Sequence, residues 1–362
     1  MTYRGIFIDD EDDIYADLLS SGPDLKIVFV PVTEVSGLAQ TISQSGPDVV
    51  AIDYRLDEVV GAVPAGQLYK GSALAQHIRD IAVEFPDRDC ALVLISAEAK
   101  VRALFDPDKT AHDLFDKVYL KEDVRASRDR VIFELSGLCQ AYIDAKRSAR
   151  PYNLSTLMCA KEADLPNIDF QELRRGTEGA AAPHILVRLF LRTLIDRSGP
   201  LIDHHEVAAR LGLDSISALC IQRLLHESEA QYSGFLSAPW PRWWSHRIDA
   251  FAATLFGRRA TGLTATERAM RLSELTGEQL QAARSPWNRS SDELIAFACA
   301  SCRRGTELKH SLAAYDGALP KYVSRRRVCW DCVQTDAYEI AGLSIDDADN
   351  VLAASVRRME RK

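Results

Sequence analysis

Gly5-Ile6-Phe7-Ile8-Asp9-Asp10-Glu11 is the stretch on which the fold turns. A short apolar run that passes in one step into three acids reads as a buried strand ending at a polar edge. Four further runs have the same character: Lys26-Ile27-Val28-Phe29-Val30, Asp48-Val49-Val50-Ala51-Ile52, Ala91-Leu92-Val93-Leu94-Ile95 and Lys117-Val118-Tyr119-Leu120. Several are apolar almost without interruption, as burial on both sheet faces demands, so a parallel sheet covered by helices is predicted rather than an antiparallel one. Helical spacing appears between them, at Ala73, Ile78 and Ile81 before the fourth run and at Val131, Leu135, Leu138 and Tyr142 after the fifth. The pattern predicts a doubly wound, five-stranded α/β domain over residues 1–148.

Beyond the polar junction Lys146-Arg147-Ser148-Ala149-Arg150-Pro151 the strand-like runs largely stop. Pro183 opens a helix carrying Leu186, Leu189, Phe190 and Leu194, and Thr264 with Glu267 forms a capping-box pattern. Residues 152–285 are therefore read as an α-helical domain, and 291–362 as a small cysteine-bearing module with a C-terminal helix. A chain of 362 residues with 47% hydrophobic and 27% charged residues has ordinary globular values, which excludes wholesale disorder and fibrous architectures. The most apolar stretch, Ile185 to Ile195, is broken by Arg188 and Arg192, so no bilayer-spanning segment and a cytoplasmic location are expected. The net charge of −8 is uneven: residues 1–150 carry 26 acids against 17 bases, leaving the remainder at +1. Bulk charge thus gives no general attraction to nucleic acid.

In a doubly wound sheet the working groups collect beyond the carboxyl ends of the strands. Those ends present Asp9 and Asp10 after the first strand, Asp53 after the third, Ser96 after the fourth and Lys121 after the fifth. This set, in this order, resembles the receiver (CheY-like) domain of two-component response regulators. The resemblance implies that Asp53 accepts a phosphoryl group, that Asp9, Asp10 and Asp53 hold Mg²⁺, and that Lys121 and Ser96 bond the transferred group. It also implies a histidine kinase or other phosphodonor as partner. The physical logic agrees: carboxylates ~4 Å apart repel by roughly 4 kcal/mol per pair at an effective dielectric near 20, so three together call for a proton or a hard cation. The chain departs from the receiver pattern where Glu122, not proline, follows Lys121, where Val118 replaces the usual aromatic, and in the long segment from Leu56 to Lys70. Those departures leave open a phosphate-independent pseudo-receiver. Arg55 and Glu98 are placed to pair across the pocket, which would restrict attacking water.

Cys299-Ala300-Ser301-Cys302 and Cys329-Trp330-Asp331-Cys332 are two Cys-x-x-Cys knuckles, and four soft thiolates suit a closed, structural Zn²⁺ site. From Cys299 to Cys332 there are seven basic and three acidic residues, including Arg325-Arg326-Arg327, which permits contact with nucleic acid or with an acidic surface. Glu206 to Leu225 has a superficial helix-turn-helix pattern, but its second helix offers few base-reading side chains, so an ordinary helix pair is favoured. Trp240, Trp243 and Trp244 form a conspicuous cluster suited to an interface. The sequence thus reads as a phosphoacceptor signalling protein, rather than a turnover enzyme, whose helical and zinc-bearing output binds another protein. A phosphorylation-controlled DNA- or RNA-binding regulator is the rival, and a homodimer is compatible with either.

Overall fold

The computed structural model describes the chain apart from residues 1, 12, 59–63, 65, 66, 107–109, 169, 258–261, 318 and 360–362. It divides into two compact units. The first comprises Met1–Leu157, Leu173–Leu191 and Ala238–Trp240; the second comprises Met158–Glu172, Arg192–Ser237 and Pro241–Lys362.

The first unit is built on five parallel strands, β1 (Tyr3–Ile8), β2 (Leu25–Phe29), β3 (Val49–Ile52), β4 (Ala91–Ser96) and β5 (Lys117–Leu120), in the order β2-β1-β3-β4-β5. Every residue of β3 and β4 is buried, because both are interior strands with helices over both faces. The helices are α1 (Ile14–Leu19), α2 (Val35–Ser45), α3 (Gly71–Glu84), the single turn α4 (Glu98–Lys100), α5 (Lys121–Ala126) and α6 (Arg128–Arg147). α2 and α3 pack Leu38, Ile42, Leu74 and Ile78 against Ile8, Val50, Ile52, Leu92 and Leu94. On α6, the i, i+4, i+7 set Val131, Leu135 and Leu138 is buried, as its spacing predicts. In register, Ile8 lies beside Ile52, Ile52 beside Leu94, and Ser96 beside Leu120, so the strand ends level out at one edge. The order reverses between β1 and β3, which opens a crevice there.

At the opposite end of the sheet Arg79 is buried in a polar network, in which only Asp116 Oδ1 lacks a hydrogen-bond partner among the described residues. Its guanidinium reaches Asp89 and Asp116 at 3.0 Å each and the carbonyls of Cys90 and Leu114 at 2.9 and 3.1 Å. Tyr142 donates to Asp116 at 2.8 Å, and His184, on the helix Pro183–Phe190, meets Asp89 through both its ring and its backbone N–H. Burial alone would raise the Asp89 pKa, but the His184 hydrogen bond and the Arg79 charge hold it below the usual carboxylate value.

The second unit is mostly helical, with two cores. One gathers Val207, Leu211, Ile248, Phe256 and Leu272 from the helices His204–Leu211, Ser245–Phe256 and Ala265–Thr276, with Ile202 and Trp243 from the paired strands Leu201–Ile202 and Trp243–Trp244. The capping box at Thr264 and Glu267 forms as its spacing predicts. The second helix of the helix-turn-helix pattern is broken into Ser217–Cys220 and Gln222–Glu227, so no continuous recognition helix exists there. The other core surrounds the cysteines with Leu312, Val328, Val333 and Val356. The tryptophans separate: Trp240 lies with the first unit, 5.0 Å from the Lys117 ammonium, while Trp243 and Trp244 are buried in the second. No helix among the described residues is long and apolar enough to cross a membrane.

Candidate phosphoacceptor pocket and four-cysteine cluster

The edge formed by the carboxyl ends of β1, β3, β4 and β5 brings Asp9, Asp53, Ser96 and Lys121 together, and all but the lysine are fully buried. Asp53 follows β3 directly and its N–H donates to the Ile8 carbonyl at 2.9 Å, an extension of the β1–β3 ladder that fixes its height in the crevice. Gly71 is required beside it, since a Cβ at that position would lie 2.2 Å from the Asp53 carbonyl oxygen. Asp9, Asp10 and Asp53 each offer a carboxylate oxygen, and these oxygens lie within 4.8 Å of one another. Backbone N–H groups orient all three: Glu11 donates to Asp9 at 2.9 Å, Glu58 to Asp10 at 2.7 Å and Arg55 to Asp53 at 2.9 Å.

The Lys121 ammonium is 2.6 Å from Asp9 and 3.7 Å from Asp53. Burial opposes its charge, yet the Asp9 hydrogen bond and the two carboxylates raise its pKa above the ordinary lysine value. Asp53 is pushed up to about 6, chiefly by burial, with Lys121 opposing the shift and Asp9 adding to it. Asp53 Oδ1 and Ser96 Oγ are buried and have no hydrogen-bond partner among the described residues. The pocket therefore holds a clustered acid set with acceptor capacity to spare, which is the donor chemistry a hard divalent cation requires.

Lys100 was not foreseen from the sequence. From the turn after β4 its ammonium reaches Glu58, Glu11 at 3.0 Å and Asp53 at 3.9 Å, giving the pocket a second internal cation. The expected pairing of Arg55 with Glu98 does not occur. Arg55 bonds Asp57 and Glu58 in its own loop, and Glu98 bonds Arg102 one helical turn on, because neighbours in sequence are reached at lower conformational cost. Part of the Leu56 to Lys70 segment lies outside the described residues. Where the receiver pattern has proline, α5 starts at Lys121 and the Glu122 carboxylate accepts from the Glu98 N–H at 3.3 Å. Val118 is exposed, whereas Tyr119 points inward and donates to Glu134 at 3.0 Å.

In the second unit Cys299, Cys302, Cys329 and Cys332 converge, with sulfur separations of 3.9 Å for Cys299–Cys332 and 3.8 Å for Cys302–Cys329. Thiolates about 2.3 Å from a tetrahedral Zn²⁺ would stand about 3.8 Å apart, so the cluster has the dimensions of a Cys₄ site. The 26 residues between the knuckles are taken up by short antiparallel pairings. Phe297–Ala298 pairs with Gly305–Thr306 around the first knuckle, and Ser311–Ala313 with Arg327–Cys329 leads into the second. The Cys329 N–H also donates to Cys299 Sγ at 3.2 Å, a contact that favours a thiolate there.

No protein-family model and no curated protein matches the chain. Among solved structures it is similar to a response regulator receiver domain (CheY-like) from Methylobacillus flagellatus, at 19% identity and a TM-score of 0.27, covering 36% of this chain and 97% of that one. It is also similar to NtrX from Brucella abortus, solved in complex with ADP and with ATP, at 18% identity and TM-scores of 0.28 and 0.29. Those matches cover 61% and 59% of this chain but only 40% and 46% of the NtrX chains. The first unit's own strand order β2-β1-β3-β4-β5 is the doubly wound order that CheY-like receivers share with flavodoxin-like folds.

Proposed function

We propose that the chain is a response-regulator-like signalling protein in which Asp53 accepts a phosphoryl group and the second unit serves as output toward a protein partner. The observation that carries this reading is the convergence of Asp9, Asp10, Asp53 and Lys121 at one sheet edge. An Asp53 carboxylate oxygen attacks the phosphorus of a phosphohistidine or a small acyl phosphate. An O–P bond forms, the donor's N–P or O–P bond breaks, and the imidazole or carboxylate leaves with its electron pair. Asp9, Asp10 and Asp53 are the residues suited to hold Mg²⁺, which supplies charge neutralisation for the transferred group. Lys121 stands to pair with a phosphoryl oxygen and Ser96 to donate to another. A cytoplasmic location and a histidine kinase donor go with this reading. In the second unit the four cysteines suit a structural Zn²⁺, since four thiolates leave no open coordination position.

The experiment is incubation with Mg²⁺ and acetyl phosphate, followed by intact mass, with Asp53→Ala as control. A gain of one phosphoryl group in the parent protein and none in the variant supports the proposal; equal modification of both rejects it. One feature favours a second reading as a phosphate-independent module: the Lys100 ammonium already stands 3.9 Å from Asp53, where it competes with an incoming cation. No modification of the parent protein with any phosphodonor would select that reading.

A further inference from the structure

The second unit contains a cavity of about 670 Å³, within the size range of small-molecule sites. Eight arginines line it against four carboxylates, a surplus of four positive charges in a concave space. The local pairing does not cancel that surplus. Arg303 pairs with Asp203, and Arg210 takes both Asp249, at 2.9 Å, and Glu206, at 3.5 Å. Arg197 and Arg326 share the single carboxylate of Asp316 and Arg325 pairs with Asp346 at 3.0 Å, so these two acids outside the lining bring the surplus down to two. Among the described residues Arg242, Arg268 and Arg327 have no ion-pair partner. They donate instead to neutral oxygens: Arg242 to the Ile195 and Pro241 carbonyls, Arg268 to the Arg210 and Ile295 carbonyls, and Arg327 to Ser311.

Carbonyl contacts fix these guanidiniums in place but leave their charges uncompensated, a costly arrangement away from water. The strain shows in their proton affinities. Burial lowers the pKa of Arg242 and Arg326, and brings Arg268 down to about 10. The Arg197 pKa falls through burial and then through the Arg326 charge, and the Arg327 pKa falls through burial, with Asp349 opposing the shift and Arg325 adding to it. Arg326 Nε is also buried and has no hydrogen-bond partner among the described residues. Phe297, Ile295 and Ala252 add an apolar wall to the same cavity.

We propose that this cavity binds a small molecule of nucleotide size, whose two or more phosphoryl groups meet Arg303, Arg325 and Arg326 while its flat apolar part lies against Phe297. Guanidinium forks match phosphate oxygens in pairs, and a concave wall of this volume suits a compact anion better than the convex groove of a duplex. Arg242 and Arg268 supply field more than contacts, because most of their N–H groups already donate to carbonyls.

The test is calorimetric titration of the full-length, zinc-loaded protein with inorganic tripolyphosphate and separately with ATP, near physiological salt. Saturable binding of both is expected. An Arg325→Gln, Arg326→Gln double variant, checked for unchanged zinc content and circular dichroism, is expected to weaken both by about tenfold or more. Phe297→Leu is expected to weaken ATP and leave tripolyphosphate unchanged. The proposal is overturned by absence of binding at millimolar probe, by equal affinity in the double variant, or by a Phe297→Leu effect that does not distinguish the probes. It is equally overturned if a duplex of about 20 base pairs displaces tripolyphosphate and binds more tightly with a steep salt dependence, since the arginines would then serve a nucleic-acid backbone.

Discussion

Asp53→Asn is expected to stabilise the first unit when divalent cations are absent. The Asp53 carboxyl is fully buried and its pKa rises from 3.8 to about 6 on folding. A folded-state pKa above the unfolded one means that the folded chain holds this proton more tightly, so stability falls as pH climbs from about 4 to about 6 and is level above that. Two pKa units at 1.36 kcal/mol each amount to about 3 kcal/mol of penalty at neutral pH. That figure already includes the attraction of Lys121 and Lys100, so removing the charge does not forfeit a further term. Asparagine retains an oxygen to accept from the Arg55 N–H, Lys121 keeps Asp9, and Lys100 keeps Glu11 and Glu58. Because the chain has two units, a single global unfolding energy is poorly defined. Hydrogen exchange of β3 peptides in EDTA reads the first unit alone. Exchange at pH 7.5 is expected to slow in the variant by the equivalent of about 2–3 kcal/mol, with the gap closing toward pH 4. Millimolar Mg²⁺ should stabilise only the parent protein, by about 2.7 kcal/mol at a hundredfold excess over its Kd, and so erase the difference. Faster exchange in the variant at pH 7.5, or a gap independent of pH, would refute the reasoning.

Lys100→Ala should tighten Mg²⁺ binding by about tenfold in a calorimetric titration, because an ammonium 3.9 Å from Asp53 repels the ion and is only partly screened by Glu11 and Glu58; weaker binding would show that Lys100 supports the site instead. Arg79→Met leaves Asp89 and Asp116 buried without their cation and is expected to cost about 3–5 kcal/mol in urea unfolding of the first unit, an effect under 1 kcal/mol counting against the network's importance. Elemental analysis should find one Zn²⁺ per chain, lost in Cys299→Ser, Cys332→Ser protein together with protection of the Ser311–Ala313 and Arg327–Cys329 strands from exchange. Retention of both properties would dismiss the metal.

The sheet was legible because β3 and β4 are buried at every position and four of the five predicted runs stop at a chemically distinct residue: Asp9, Asp53, Ser96, Lys121. Both signals are local. Lys100 escaped notice because Ala97-Glu98-Ala99-Lys100 has the composition of any solvated first turn, and only the closeness of α4 to the ends of β1 and β3 turns its ammonium inward. Arg79 was readable in principle, since it sits on the same α3 face as Ala75 and Ala82, where an arginine is either misplaced or paired. Its partners, Asp89, Asp116, Tyr142 and His184, come from four separate segments that no periodicity links. The arginine cavity was illegible for the same reason. The tryptophans were read as suited to an interface; Trp240 packs with the first unit and Trp243–Trp244 pairs with Leu201–Ile202 in the second.

The two ends of the β-sheet carry similar charges arranged differently: Asp116 Oδ1 at one end and Asp53 Oδ1 at the other both lack a hydrogen-bond partner among the described residues, so the contrast lies in how acids and cations are grouped. At the amino end of β4, Arg79 has two carboxylates and two carbonyls around one guanidinium, with tyrosine and histidine closing the acids from behind. Such a network is rigid because any displaced member leaves a buried charge uncompensated. At the carboxyl end the carboxylates of Asp9, Asp10 and Asp53 crowd together under two ammonium groups, both only partly buried. Asp53 Oδ1 and Ser96 Oγ remain unbonded among the described residues, although both are wholly enclosed. Natural interiors rarely tolerate such atoms without a reason. If Asp53 accepts a phosphoryl group as proposed, this oxygen and this hydroxyl would be the groups left to meet the accompanying cation and one phosphoryl oxygen.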